Sequence, residues 1–304
     1  MHVSSAIAVL GAPSNIGIRP YDDGRLRGLD RAPAVLRAHG LSARLQAADF
    51  GDVVPPEYLD FTRTAGRVRN EAALVSYSRD LGARVGDALL DGRFVLLLGG
   101  DCSIVLGGLL GARRVSNSRL GLIYVDGHAD FATPQESVTG SAASMCAALA
   151  IGRGDSALAR LADIPLVNGS DLAMLGRRDD ADGNIYGQAA LPAAGVLDIP
   201  ALAVRSRGAA AAAAVALDRL ADVSRLWIHI DADVLDPSVM PAVDSPEPSG
   251  LSVDELVSLL RPFVRDPRAV GLQLTIYDPN LDSDGTCAAT LVSVLEQTFV
   301  RRDQ

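Results

Sequence analysis

The chain has 304 residues, of which 48% are hydrophobic and 21% charged, and its formal net charge is −9. This balance is typical of a globular protein with ample material for a core. The negative charge and the lack of a Lys/Arg cluster argue against nucleic-acid binding, and no apolar run reaches the roughly 18 residues that a membrane span needs. Three widely spaced cysteines form no disulfide framework, which predicts a reducing, cytoplasmic location.

Hydrophobic runs alternate with helical patterns along the chain. The runs are continuous, as in parallel strands covered on both faces, and they predict strands at 6–11, 94–99, 120–126, 165–169, 226–231 and 270–277. Helical spacing predicts helices at 70–90, 208–222, 252–264 and 286–302. The third helix opens with a capping box, Ser252 and Glu255. We therefore predict one domain over residues 1–304, a three-layer α/β/α sandwich around a single parallel sheet.

Polar residues follow three of these strands. The first end reads 99-GGDCS-103, the second 124-YVDGHADF-131 and the third 228-IHIDADVLDP-237. Ligands of open α/β sheets bind beyond the carboxyl ends of the strands, and residues two apart on an extended chain point the same way. We therefore expect these side chains to form one constellation.

Several carboxylates in one place repel each other unless cations neutralise them. Two divalent cations would do so and would hold a hydroxide between them. A mostly oxygen donor set with one imidazole favours Mn²⁺. Each motif alone has a simpler explanation, since an Asp-x-Asp is often a turn and a lone Cys is usually a small, buried and unreactive residue. Three such pieces at strand ends of one sheet point to a metal centre.

In combination, the motifs D-x-H-x-D at 126–130, D-x-D-x-x-D-P at 231–237 and G-G-D-C-S at 99–103 resemble the arginase/agmatinase (ureohydrolase) family over nearly the whole chain. The resemblance implies a sheet of about eight strands and two Mn²⁺ per chain. It also implies that a hydroxide bridging the metals attacks the guanidino carbon of a small substrate, releasing an amine and urea or a related product. A homo-oligomer is possible in this family.

The resemblance implies six metal ligands, namely Cys102, Asp126, His128, Asp130, Asp231 and Asp233. Asp126 and Asp231 would bridge the metals, Cys102 and Asp130 would complete the first site, and His128 and Asp233 the second. Asp130 is also the candidate catalytic residue, carrying the proton to the leaving nitrogen.

The predicted substrate contacts are Ser137, Thr139 and Asp171. Ser137 and Thr139 lie in the loop after the second motif, where their hydroxyls would hold the carboxylate of an amino acid substrate. Asp171 belongs to 166-LVNGSD-171, which we align with an acidic loop of the family. The same alignment puts Ala173 where a second Asp is expected.

The chain departs from plain arginase at positions close to the chemistry. Cys102 replaces a His ligand, Ala143 stands where the family has a catalytic His, Ala132 replaces an Asn, and Ile276 takes the place of a Glu that faces the guanidinium. A thiolate ligand makes the first site more negative and more open to Zn²⁺ or Fe²⁺.

Two departures, the Cys ligand and the missing His, resemble a branch of the family typified by the Nω-hydroxy-L-arginine hydrolase of cycloserine biosynthesis. A hydroxyguanidine is less basic than a guanidinium and needs less help from an anionic Glu. We therefore predict hydrolysis of Nω-hydroxy-L-arginine to ornithine and hydroxyurea. The alternatives are an arginase, an agmatinase-like or formimino-compound hydrolase, a non-catalytic member with a decayed centre, and a zinc deacetylase of related fold, against which the scarcity of His weighs.

Overall fold

A parallel sheet forms the centre of the molecule in the computed structural model, which describes residues 6–59, 64–115 and 118–299. The strands are β1 (Ile7–Ala12), β2 (Ala48–Asp52), β3 (Phe94–Gly99), β4 (Leu120–Val125), β5 (Leu172–Leu175), β6 (Leu197–Ile199), β7 (Arg225–Asp231) and β8 (Ala269–Thr275). Within the described ranges they form one sheet of eight strands, all paired in parallel, in the order β2-β1-β3-β8-β7-β4-β5-β6.

Helices cover both faces of this sheet and complete a three-layer sandwich. They are α1 (Ala32–Ala38), α2 (Leu41–Arg44), α3 (Glu71–Leu90), α4 (Ile104–Arg114), α5 (Cys146–Ala150), α6 (Ala201–Arg207), α7 (Ala209–Arg219), α8 (Val253–Arg265) and α9 (Thr286–Phe299). Helix α3 packs on α4, which contacts β7 and β8, whereas α7, α8 and α9 pack in series. None of the helices in these ranges is long and apolar enough to span a membrane.

Continuous apolar runs predicted the buried strands well. Strands β1, β3, β4, β7 and β8 lie within two residues of their predicted bounds, and the central strands β3 and β4 are buried along their whole length. The predicted capping box is present at Ser252 and Glu255. Residues 300–302 of the last predicted helix lie outside the described residues.

The strand predicted at 165–169 is wrong. Leu166 and Val167 are buried, but the amide of Val167 donates to the carbonyl of Ala150 and the segment joins no strand. The two buried apolar residues imitate the pattern of a strand, and β5 begins only at Leu172. The sequence also gave no signal for two outer strands, since β2 is mostly exposed and β6 has three residues.

The strand order brings the three motifs together. Strands β3, β8, β7 and β4 are consecutive in the middle of the sheet, and three of them carry the motifs at their carboxyl ends. Because parallel strands end at the same edge, the motifs meet there.

Candidate metal centre

A tight turn after β3 presents Cys102 to this edge. A Cβ atom at Gly100 would lie 1.9 Å from the carbonyl oxygen of Ser14, so only glycine fits. The buried carboxylate of Asp101 fixes the turn, because Oδ2 accepts hydrogen bonds from Ser14 Oγ at 2.7 Å and from the Gly17 amide at 3.0 Å. The Cys102 side chain is consequently buried and held in one place.

The Asp-x-His and Asp-x-Asp pairs share one local structure. Asp126 Oδ1 accepts a hydrogen bond from the amide of His128 at 2.7 Å, and Asp231 Oδ1 accepts one from the amide of Asp233 at 2.8 Å. Each first carboxylate thus closes a turn directly after its strand. We predicted that the spacing of two reflects extended backbone. It instead reflects a turn that points both side chains into the site.

These turns and the β3 loop bring the predicted ligands into two groups. Potential ligand atoms of Cys102, Asp126, Asp231 and His229 lie within 4.8 Å of one another, as do those of Asp126, His128 and Asp233. Asp126 belongs to both groups, as its predicted bridging role requires, whereas Asp231, the other predicted bridging ligand, belongs only to the group of Cys102. His229 lies in β7 two residues before Asp231, and its role is taken up below.

Asp130 lies beside these groups but joins neither among the described residues. Its Oδ2 accepts a hydrogen bond from the Tyr124 hydroxyl at 2.7 Å, and its backbone has a φ of 46°. Aspartate tolerates this left-handed conformation better than most residues. Burial raises the pKa of Asp130 to about 7.

The group that contains Cys102 is short of positive charge. Burial and the neighbouring Asp231 raise the pKa of the Cys102 thiol well above its usual value, and the thiol donates to Asp231 Oδ2 at 2.9 Å. Burial together with nearby carboxylates likewise raises the pKa of Asp126 and Asp231. A cation bound here would offset the mutual repulsion of these groups and favour their ionised forms.

The group that contains His128 balances its own charge. Burial acts to lower the pKa of His128, but the charge of Asp233 and a 3.0 Å hydrogen bond to Asp233 Oδ2 raise it to about 10. His128 in turn holds the pKa of Asp233 below its usual range, although burial acts in the opposite direction. Metal binding here must displace a proton from the imidazole.

Unpaired buried atoms show that the donor set fits metal ions. Asp126 Oδ2 and His128 Nε2 have no hydrogen-bond partner among the described residues. Buried polar atoms are nearly always paired, and both belong to side chains that ligate divalent metals. Four buried carboxylates, one imidazole and one thiol provide the oxygen, nitrogen and sulfur donors for two cations.

A cavity of about 270 Å³ opens onto these groups. Its inner wall includes Cys102, His128, Asp130, Ala143 and Ile276. Ile276 follows β8 with a φ of 67°, a conformation that β-branched residues rarely adopt. The two positions where the family resemblance places a catalytic His and a Glu thus present aliphatic groups to the cavity.

Of the three predicted substrate contacts, one lines this cavity. Thr139 is part of its wall, whereas Ser137 is not, since the Ser137 hydroxyl accepts a hydrogen bond from Gly140 and supports the loop. The prediction for Asp171 is wrong. It lies before β5, at the amino edge of the sheet, where Arg119 donates two hydrogen bonds to its carboxylate at 2.5 and 2.8 Å.

The loop after the carboxyl end of β5, unlike Asp171, reaches the site. Asp179 is buried there and accepts a hydrogen bond from the amide of Ala129, next to Asp130, at 2.9 Å. Tyr186 of the same loop tilts against the His128 ring at 4.6 Å. The wrongly predicted strand at 165–169 put Asp171 after a strand, whereas Asp171 lies before β5.

Residues from distant loops form the cavity mouth, and no sequence motif predicted that they would lie there. They include Arg19, Tyr21, Arg27, Ser141, Tyr186, Asp244 and Ser245. Arg27 is buried in an ion pair with Asp244, and its guanidinium lies 4.3 Å from the centre of the Tyr21 ring. The mouth therefore presents fixed charges of both signs.

A sequence model of the arginase family matches residues 5–300. The chain belongs to the arginase family. Members of this family are hydrolases that act on C–N bonds in amidines, and this arginase-family chain carries the family's metal-binding motifs on the fold described above.

Individual relatives agree with this assignment. The chain is 26% identical over 303 residues to an arginase of Bacillus caldovelox, covering 96% of this chain and 97% of that protein. It is 27% identical over 293 residues to human arginase-1, covering 91% and 86%.

Solved structures show the same fold. The native arginase from Bacillus caldovelox at pH 5.6 matches with a TM-score of 0.87 and 24% identity, over 99% of this chain and 100% of that one. Proclavaminate amidino hydrolase from Streptomyces clavuligerus matches with a TM-score of 0.70 and 19% identity, over 97% and 92%.

Proposed function

We propose that the chain is a binuclear manganese amidinohydrolase that converts Nω-hydroxy-L-arginine to ornithine and hydroxyurea. The observation that carries this proposal is the aliphatic wall formed by Ala143 and Ile276 beside the metal ligands. A guanidinium keeps its positive charge at neutral pH and is costly to bury without a counter-charge. A hydroxyguanidine is less basic than a guanidinium and therefore suits a cavity wall that carries no counter-charge.

Six residues would hold the two cations, namely Cys102, Asp126, His128, Asp130, Asp231 and Asp233. When bound, a pair of divalent cations supplies an activated water at neutral pH and polarises the group under attack. The oxygen-rich donor set supports Mn²⁺, while the Cys102 thiol adds a soft donor that also suits Zn²⁺.

Asp130 is the proposed proton carrier. Its carboxyl lines the cavity, and the Tyr124 hydroxyl holds Oδ2 at 2.7 Å. Asp130 would thus take over the proton transfer to the leaving nitrogen in a site where Ala143 has no ionisable group.

The charges at the mouth support an α-amino acid tail. Arg19 and the Arg27–Asp244 ion pair line the entrance together with Thr139 and Ser141. Cationic and anionic groups side by side complement the carboxylate and ammonium of a zwitterion. Agmatine, which lacks the carboxylate, matches this mouth less well.

L-Arginine is the second candidate substrate, because the relatives described above are arginases. A product assay with purified, Mn²⁺-loaded protein decides between the two. We expect hydroxyurea from hydroxyarginine at a higher kcat/KM than urea from arginine, with agmatine and guanidinobutyrate slower than both. Faster release of urea from arginine would make the chain an arginase, and no product from any of the four would support a non-catalytic member.

A further inference from the structure

His229 lies in a row of buried polar side chains beneath the metal centre. The strand register pairs Tyr124 of β4 with His229 of β7, and His229 with Gln273 of β8. Trp227 lies two residues before His229, on the same face of β7. All four side chains are fully buried.

Two roles are open to His229. Its ring lies with Cys102, Asp126 and Asp231 in one potential ligand group, so Nε2 would be a metal ligand that offsets the loss of a His at position 102. Alternatively, Nε2 carries a proton and donates it in a hydrogen bond to Asp126. The position of the single proton on a neutral imidazole decides between them, because a ring nitrogen that carries a proton cannot ligate a metal.

Trp227 fixes the orientation of the Gln273 amide. The indole Nε1 lies 2.8 Å from Gln273 Oε1, and an indole nitrogen is only a donor, so this atom of Gln273 must be the oxygen. Gly108 and Gly271 leave room for the indole in this orientation, because Cβ atoms there would lie 2.4 and 2.3 Å from its ring. The amide nitrogen of Gln273 must then face His229.

Gln273 in turn fixes the tautomer of His229. Its amide nitrogen lies 2.8 Å from His229 Nδ1. Since the amide nitrogen is a donor, Nδ1 must accept and carries no proton. In a doubly protonated ring, Nδ1–H and the Gln273 amide N–H would be two donors facing each other. The ring is therefore neutral, and its proton is on Nε2.

The protonated Nε2 faces a metal ligand. It lies 3.5 Å from Asp126 Oδ2, and neither atom has a hydrogen-bond partner in the part of the chain that the structure describes. The Tyr124 ring stacks on the imidazole at 4.0 Å and 16° and fixes its plane. We propose that His229 is a positioning residue that donates Nε2–H to Asp126, and that Trp227 and Gln273 keep it from ligating a metal. The inference rests on the metal centre proposed above and is independent of the substrate.

Nitrogen NMR tests the tautomer without any activity measurement. The chain has four histidines, so long-range ¹H–¹⁵N spectra of ¹⁵N-histidine-labelled protein are simple, and a His229→Gln variant assigns the signal. Zn²⁺ serves as a diamagnetic probe. We expect an Nε2–H tautomer for His229 in metal-free protein and its retention after zinc loading. An Nδ1–H tautomer, or loss of the Nε2 proton on loading, would overturn the proposal.

Metal stoichiometry gives an independent test. A His229→Ala variant that has lost only a positioning residue still binds about two zinc ions per chain, with a Kd raised about tenfold, as is typical of outer-shell partners. Loss of one zinc ion identifies His229 as a ligand, and an unchanged Kd removes its positioning role. Tyr277→Phe is the matched control, since Tyr277 is equally buried and its hydroxyl bonds to Asp282 at 2.7 Å away from the row. We expect zinc binding by Tyr277→Phe to be unchanged.

Discussion

The two halves of the metal centre differ in how they carry their charge. Around His128 and Asp233 an internal ion pair balances the charges. Around Cys102 and Asp231, burial and neighbouring carboxylates raise the pKa of a thiol and two carboxyl groups. A cation would therefore favour ionisation of the Cys102 half, whereas the His128 half has an ion pair that a cation must open.

Removing the residue shared by both halves should have the largest effect. We expect Asp126→Asn to lose both metals and to reduce kcat/KM by more than about 100-fold, beyond the usual effect of an outer-shell change. Metal analysis and steady-state kinetics measure this. Asp236→Asn is the control, since Asp236 is a turn-capping residue bonded to Ser238 and Gly250. Retention of both metals by Asp126→Asn would remove its bridging role.

Changing Cys102 should affect one half alone. We expect Cys102→Ala to bind about one metal per chain and Cys102→His about two, because imidazole replaces the thiolate as a donor. The His variant should also prefer Mn²⁺ over Zn²⁺ by about tenfold more than the natural chain. Competition titrations measure the preference. If Cys102→Ala keeps metal content and activity, Cys102 is not a ligand.

Stability should depend on pH in opposite ways with and without metal. Burial raises the pKa of Asp130 to about 7 and that of Asp126 and Asp231 well above the usual value. These groups therefore hold their protons more tightly in the folded metal-free chain than in the unfolded chain. As the pH rises through the interval between their unfolded and folded pKa values, their contribution to the free energy of unfolding is lost. His128, with a pKa of about 10, extends this loss to higher pH.

Metal ions replace these protons, so binding releases protons and strengthens as the pH rises. We expect the increase in Tm on adding Mn²⁺ to grow from about pH 5.5 to about pH 8. Differential scanning fluorimetry across that range measures it. A Tm increase that is constant or shrinks with pH contradicts the protonation states assigned to the site.

A smaller change is expected at the cavity wall. Ile276→Glu places a carboxylate beside the substrate head, and we expect it to raise kcat/KM for arginine relative to hydroxyarginine by about tenfold, since a buried cation gains from an opposite charge. Ile276→Gln is the control of matched shape without the charge. Equal effects of Glu and Gln would show that charge at this position does not set the preference.

Much of the fold and the convergence of most candidate ligands were predictable because their signals are local. A buried parallel strand is a continuous apolar run, and a ligand that follows it is adjacent in sequence, as with Asp126 after β4. The strand order is not local, and no sequence feature shows that β8 lies between β3 and β7. Asp171 was misplaced because the buried loop residues Leu166 and Val167 give the segment 165–169 the composition of a strand.

Contacts between distant segments were equally invisible. Gln273 lies 44 residues from His229 in sequence, and Arg27 lies 217 from Asp244. Only the register of β7 against β8 places Gln273 beside His229, and only the folded loops place Arg27 at the cavity mouth. The sequence therefore indicates the metal chemistry, while the tautomer of His229 and the charges around the substrate tail depend on the three-dimensional structure.

Metal content after equilibration with Mn²⁺ and removal of free metal tests the central claim most directly. The two donor groups that share Asp126 predict about two ions per natural chain and about one after Cys102→Ala. A natural chain that binds none, or that binds one ion unaffected by Cys102→Ala, would contradict the binuclear centre.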